Sequence, residues 1–94
     1  MIDAITDKHE NTARILKALA HPARVMITLA VSERRVCVCE LTGMAGLDIS
    51  SVSRHLSVLK NAGILKVERE GNKLYYSLNR PCLVKFLQCI EGIC

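Results

Sequence analysis

The sharpest pattern of apolar and polar positions in the chain runs from Asp48 to Gly63. Ile49, Val52, Leu56 and Leu59 recur at helical spacing and predict an apolar stripe turned towards a core. Ser50, Arg54, Ser57 and Asn61 occupy the opposite face, with Ser51 beside them, and that face carries no carboxylate. Asp48 suits the N-cap, and Gly63 suits the left-handed residue that closes the last turn. Just upstream, Cys39 to Ala45 reads as a short helix, and Gly46-Leu47 turns the chain tightly into Asp48. Downstream the period shortens to two. Leu65 to Glu70 and Lys73 to Leu78 alternate as strands, joined by Gly71-Asn72 in a tight hairpin with Arg69 and Lys73 beside its tip.

Three more helices complete the pattern. Asp7 and Glu10 resemble a capping box that opens a first helix, whose Thr12, Ile15, Leu16 and Leu19 share a face. His21-Pro22 breaks the chain and starts a second helix, Pro22 to Val31, with Val25, Met26, Leu29 and Ala30 on its apolar side. Pro81 to Cys94 reads as a last helix in which Leu83, Phe86, Leu87, Ile90 and Ile93 spread over more than one face. One small core does not need so much apolar surface at a terminus, so part of it is assigned to a homodimer interface, together with the first helix. The fold class expected is α+β, mainly α: a single winged helix-turn-helix domain over residues 1–94, with about five helices and a two-stranded hairpin wing.

An ordinary surface helix could show the same serine-rich face. The helical segment before it and the basic hairpin after it distinguish Asp48–Gly63 as a helix that lies in the major groove of DNA. Ser50, Ser51 and Arg54, at its N-terminal end, are the candidates for base contacts; His55, Lys60, Arg69 and Lys73 are the candidates for phosphate contacts. Lys and Arg number 13 against 9 Asp and Glu, a net charge of +4. Between Ile49 and Arg80 six basic residues face only Glu68 and Glu70, so the surplus lies on the reading half. The partner expected is double-stranded operator DNA, read by a two-fold dimer on half-sites roughly 34–36 Å apart. A winged helix that binds protein instead is disfavoured by the same basic bias. No apolar run spans a bilayer, and the polar, acidic N-terminus is not a signal peptide, so a cytoplasmic protein without membrane contact is expected. No nucleophile stands with a base and an orienting group at a recognisable spacing, which argues against an enzyme.

Five cysteines are many for 94 residues, but their number is odd and a core is already supplied, so free thiols are expected rather than disulfides. Cys37 and Cys39 follow Arg34-Arg35 at a helix start, a setting expected to lower both thiol pKa values. Residues two apart share a side only in extended chain, so both sulfurs can grip one ion only if the helix start is extended or becomes so. Binding there would then distort the first helix of the helix-turn-helix. Paired thiolates select soft, thiophilic ions; the same thiols could instead form a disulfide or polysulfide bridge, which would make the chain a redox- or reactive-sulfur-responsive repressor on the same scaffold. His9, His21 and His55 are scattered. Cys82 and Cys89 share a face of the last helix and suit packing in the dimer interface.

The segments A-L-A-H-P-A-R-V (Ala18 to Val25), C-V-C-E-L (Cys37 to Leu41), V-S-R-H-L-S-V-L-K-N-A-G-I-L (Val52 to Leu65) and E-G-N-K-L-Y-Y-S-L (Glu70 to Leu78) resemble the ArsR/SmtB family of metal-sensing winged-helix repressors. The likeness covers essentially the whole chain. It implies a homodimer that holds operator DNA until an inducer binds. C-V-C-E-L is similar to the thiol site of the arsenical-responsive members, which implies Cys37 and Cys39 as ligands for arsenite or antimonite, that is, trivalent arsenic or antimony. Such sites often carry a third cysteine where this chain has Thr42, so a third sulfur would come from Cys94 or Cys89, or the site would use two. Cadmium- and lead-binding members recruit N-terminal cysteines, which are absent here. The family's zinc site on the last helix needs histidines and carboxylates, and that segment offers only Glu91, so no zinc is expected.

Overall fold

A computed structural model of the chain describes residues 4–92. Five helices, α1 (Asp7–Leu19), α2 (Pro22–Glu33), α3 (Val38–Ala45), α4 (Ile49–Asn61) and α5 (Cys82–Ile90), surround three strands, β1 (Val36–Cys37), β2 (Leu65–Glu70) and β3 (Lys73–Leu78). β2 and β3 form the expected hairpin, with Glu70 opposite Lys73 at its tip. The sheet is nevertheless three-stranded, in the order β1-β3-β2. Val36 pairs with Tyr76 and Cys37 with Tyr75, so a short third strand adds to the expected two-stranded wing. A two-residue strand is too short to show any alternation, and its pairing partner lies almost forty residues on.

The core is built where the helix-turn-helix meets the hairpin. Ile27, Val36, Leu41, Val52, Leu56, Leu59 and Ile64 are completely buried. Ile49, expected to share the α4 stripe, is 59% exposed instead, although Val52 three residues on is completely buried; it is the first residue of the helix. The buried side of α2 is Ile27, Thr28 and Val31, while Val25, Met26, Leu29 and Ala30 are only half-buried. Thr28 is tolerated there because its hydroxyl donates to the Arg24 carbonyl at 2.8 Å.

The ends of the helices follow capping chemistry closely. α1 starts one residue earlier than Asp7 suggested: Thr6 is the N-cap, and the His9 Nδ1 accepts the Thr6 N–H at 3.0 Å while the Thr6 hydroxyl accepts from the His9 N–H. Asp7 and Glu10 still place negative charge in the first turn, where the helix dipole favours it. α4 ends in a Schellman motif. Gly63 (φ +78°) donates to Lys60 O at 2.9 Å and Ile64 donates to Leu59 O at 3.0 Å. Asn79 then ties this corner to the end of β3, its backbone N–H donating to Ile64 O and its amide to Gly63 O. The reading helix and the wing are thus fixed to one another by backbone contacts.

Candidate nucleic-acid interface and thiol site

α3 packs on α4 across the turn at Gly46, whose left-handed conformation (φ +66°) closes α3. Asp48 caps α4 by accepting from the Ser51 N–H at 3.4 Å and from the Ser51 hydroxyl at 2.6 Å. The hydroxyl bond holds the Asp48 carboxyl below its ordinary pKa, so the cap is charged at neutral pH. Ser51 is therefore committed to the cap and offers a base only its lone pairs. Ser50 and Arg54 stand exposed, as do Ser53, Ser57, Lys60 and Asn61. The Asn61 carbonyl, at the far end, accepts from Arg14 of α1 at 3.4 Å.

His55 is placed differently from the other phosphate candidates. It is half-buried, with its ring 4.4 Å from that of His21. Burial, reinforced by His21, Arg24 and Arg54, holds its pKa below the ordinary histidine value. The imidazole is thus neutral at pH 7, and positive charge on this helix comes from Arg54 and Lys60. His21 caps α2, its Nδ1 accepting from the Ala23 N–H at 3.0 Å.

At the wing, Arg69 and Lys73 are exposed. Arg35 is drawn onto the wing, forming an ion pair with Glu70 and lying 4.3 Å over the Tyr75 ring. That pairing neutralises one of the two acidic residues near the tip. Among the described residues the ion pairs are Arg34–Glu40 and Arg35–Glu70, so Arg54, Lys60, Arg69 and Lys73 have no carboxylate partner there.

The same arginines alter the thiol site from what the sequence implied. Cys37 is buried and Cys39 exposed, and their sulfurs lie 2.9 Å apart. Cys37 is the N-cap of α3 with extended backbone (φ −85°, ψ 161°), so the extended helix start that two sulfurs require is already in place. The arginines, however, are taken up by carboxylates. Arg34 binds Glu40 at 2.8 Å, and Glu40 also approaches the Cys37 sulfur at 3.5 Å. The Cys37 thiol is raised above its ordinary pKa, first by its hydrogen bond with Cys39, and the expected lowering is corrected for this residue.

Thr42, in the place of a third cysteine, turns its hydroxyl back to the Val38 carbonyl at 2.8 Å. Among the described residues no cluster of three or more His, Cys, Asp or Glu side chains is arranged to hold a metal ion. Cys94 and Ile93 lie outside the described residues. Cys82 and Cys89 are exposed on α5. Of the apolar residues of that helix, Leu87 and Leu83 turn towards the core, while Phe86 (44%) and Ile90 (67%) remain exposed, as does Leu16 of α1 (44%). Two shallow apolar grooves between α1 and α5 share Leu16 and Phe86. No single described helix is long and apolar enough to cross a membrane.

Residues 21–67 match the model of the bacterial regulatory proteins of the arsR family. The chain belongs to this family. Among its arsR-family relatives, the HTH-type transcriptional regulator Rv0081 of Mycobacterium tuberculosis is 40% identical over 76 residues, covering 80% of this chain and 67% of that protein. The crystal structure of Rv0081 superposes with a TM-score of 0.82 at 33% identity, over 95% of this chain and 90% of that one. The arsenic resistance transcriptional regulator ArsR1 of Pseudomonas putida is 42% identical over 66 residues, 69% of this chain and 52% of its own length. A cadmium resistance transcriptional regulatory protein CadC homologue of Staphylococcus aureus is 39% identical over 70 residues, 73% of this chain and 58% of its own. The chain is an arsR-family transcriptional regulator with a winged helix-turn-helix fold.

Glu40, Tyr75 and Asn79 are the participants that sequence reading missed, together with the contact of His21 with His55. Glu40 had a signal, since it stands three residues after Cys37 and follows two arginines. The others act through contacts across the fold that no local pattern carries.

Proposed function

We propose that the chain is a homodimeric repressor that binds operator DNA through α4 and the β2–β3 wing, and that trivalent arsenic or antimony at Cys37 and Cys39 releases it. The observation that carries this reading is the pair of sulfurs 2.9 Å apart on an extended helix start. Two thiols so placed suit a thiophilic centre, which condenses with them to form two sulfur bonds and release two waters. The relatives named for arsenic and cadmium resistance support a soft inducer, and the missing third ligand among the described residues favours a two-sulfur site or one completed by Cys94.

Cys37 belongs to both halves of the machinery. Its strand is paired to β3 of the wing, and the helix it caps packs on α4. Arg35 adds a second tie to the wing through Glu70 and Tyr75. A change in the Cys37–Cys39 junction therefore acts on both DNA-contacting elements at once. The exposed apolar faces of α1 and α5 supply the dimer surface.

The test is release of a fluorescent operator-like duplex from the reduced protein at fixed salt. Arsenite should release it, and Cys37→Ser or Cys39→Ser should keep DNA binding while losing the response. A retained arsenite response in either variant rejects the site. The sulfur contact also favours a second reading, a thiol-redox switch on the same scaffold. Its mark is release by mild oxidant, reversed by reductant, with no response to arsenite, cadmium or lead.

A further inference from the structure

The large apolar side chains left exposed fall mainly into two groups. Ile5, Leu16, Phe86 and Ile90 lie on or beside α1 and α5, where a second copy is proposed to cover them. Met44, Leu47 and Ile49 lie around the turn between α3 and α4, where nothing in the proposed dimer explains them. Met44 and Leu47 border a shallow hollow with Pro22, Ala23 and Met26, so they retain apolar neighbours of their own. Ile49 is not among the residues around that hollow, and it is the more exposed side chain at 59%.

We propose that Ile49 is a base-reading residue, and that it takes the 5-methyl group of a thymine in the major groove. This rests on the DNA-binding reading above. The surroundings decide the occupant. Ile49 is the first residue of α4, flanked by exposed Ser50 and, one turn on, by exposed Ser53. Arg54 and Lys60 on the same helix are exposed without carboxylate partners among the described residues, and the nearest acid, Asp48, is held in the helix cap. An exposed apolar side chain beside hydroxyls, at the start of a helix whose cations are uncompensated, fits an apolar spot set in a polyanion. The thymine methyl is the one such group that the major groove presents on its base edges. A Gln, Asn or Ser at position 49 would instead select hydrogen-bonding edges, so Ile49 would tilt the preferred site towards A·T pairs at that step.

The experiment begins by selecting tight duplexes for the wild-type chain from a randomised pool. Each thymine of the selected duplex is then replaced singly by deoxyuridine, which removes only the methyl group. Binding is measured at fixed salt for the wild type and for Ile49→Ala. At one thymine in each half-site the wild type should lose about three- to fivefold in affinity, the value of one buried methyl. Ile49→Ala should be indifferent to the same replacement. A wild type insensitive at every thymine, or an Ile49→Ala variant equally sensitive to the methyl, overturns the inference and leaves the DNA-binding reading standing. Absence of salt-dependent binding to any duplex overturns both.

Discussion

Two glycine-to-alanine changes, identical in chemistry, should move stability in opposite directions. Gly63 closes α4 at φ +78°, and a Cβ built there meets nothing within 4 Å. No clash is involved, so the cost of Gly63→Ala is conformational: about 1–2 kcal/mol for an L residue in the left-handed region. The unfolded chain loses freedom too, returning about 0.4–1 kcal/mol, for a net destabilisation of about 1 kcal/mol. Gly43 lies inside α3 with helical backbone, and a Cβ there is equally unobstructed. Gly43→Ala should therefore stabilise by about 0.5–1 kcal/mol through helix propensity. Urea unfolding followed by far-ultraviolet circular dichroism reads both, at one protein concentration because association adds to apparent stability. The midpoints should part to either side of the wild type with the slope unchanged. Two shifts of the same sign would refute the assignment of backbone conformation as the deciding quantity. A loss beyond about 3 kcal/mol at Gly63 would mean that the side chain meets an obstruction after all.

Arg54→Ala should cost about 1–3 kcal/mol on a selected duplex if the side chain reads guanine, and much less on random DNA; an equal loss on both would make it a phosphate contact. Lys73→Ala at the wing tip should instead weaken all duplexes alike and lower the salt slope by about one, as measured by titration across a salt series. Because burial depresses the His55 pKa, the folded state binds fewer protons than the unfolded chain just below the ordinary histidine value of 6.5. Stability from this group is complete above that value and declines as pH falls towards the folded pKa, so His55→Gln should flatten the acid side of a urea-midpoint profile. An unchanged profile would show that His55 titrates normally. Ile90→Asp, at a position 67% exposed, should leave the fold intact and give a monomer by sedimentation; a surviving dimer would displace α5 from the interface.

The elements with regular periods could be read from the chain, and the contacts between distant residues could not. Both wing strands carry their alternation in the side chains and fell at Leu65–Glu70 and Lys73–Leu78, as expected. Asp48 and Gly63 announced the ends of α4 because capping is a local matter of one side chain and one backbone angle. Ile49 misled because periodicity gives a direction and not a neighbour: its spacing points near the stripe, but at the first position of the helix it is left 59% exposed while Val52 is completely buried. Most of the candidates for DNA contact, Ser50, Arg54, Lys60, Arg69 and Lys73, are exposed, as polar and charged side chains on outer faces are expected to be. His55 departed because its environment is set by His21, thirty-four positions away on another helix. At the thiol site the pairing of Cys37 and Cys39 was legible. The neutralisation of Arg34 and Arg35 was not, because Glu70 reaches Arg35 only once the wing is folded.

The extended start of α3 bears on how an inducer would act. Two sulfurs at positions i and i+2 share a side only where the backbone is extended, and Cys37 is extended. A ligand shifts an equilibrium only by binding one state better than another. On the proposed reading, unwinding of α3 would therefore not be needed to bring the two sulfurs together, because they already lie 2.9 Å apart. What a bridged pair can do is hold that junction extended and displace the Cys39 side, which is exposed, relative to Cys37, which is buried and paired to Tyr75. The fixed end of the lever is the strand in the wing sheet, and the free end is the start of α3, a helix that packs on the reading helix. On the proposed reading, induction would be a movement of α3 against α4 and the wing, which Asn79 holds together through Gly63 and Ile64. It would alter the support of the reading helix while leaving each element folded.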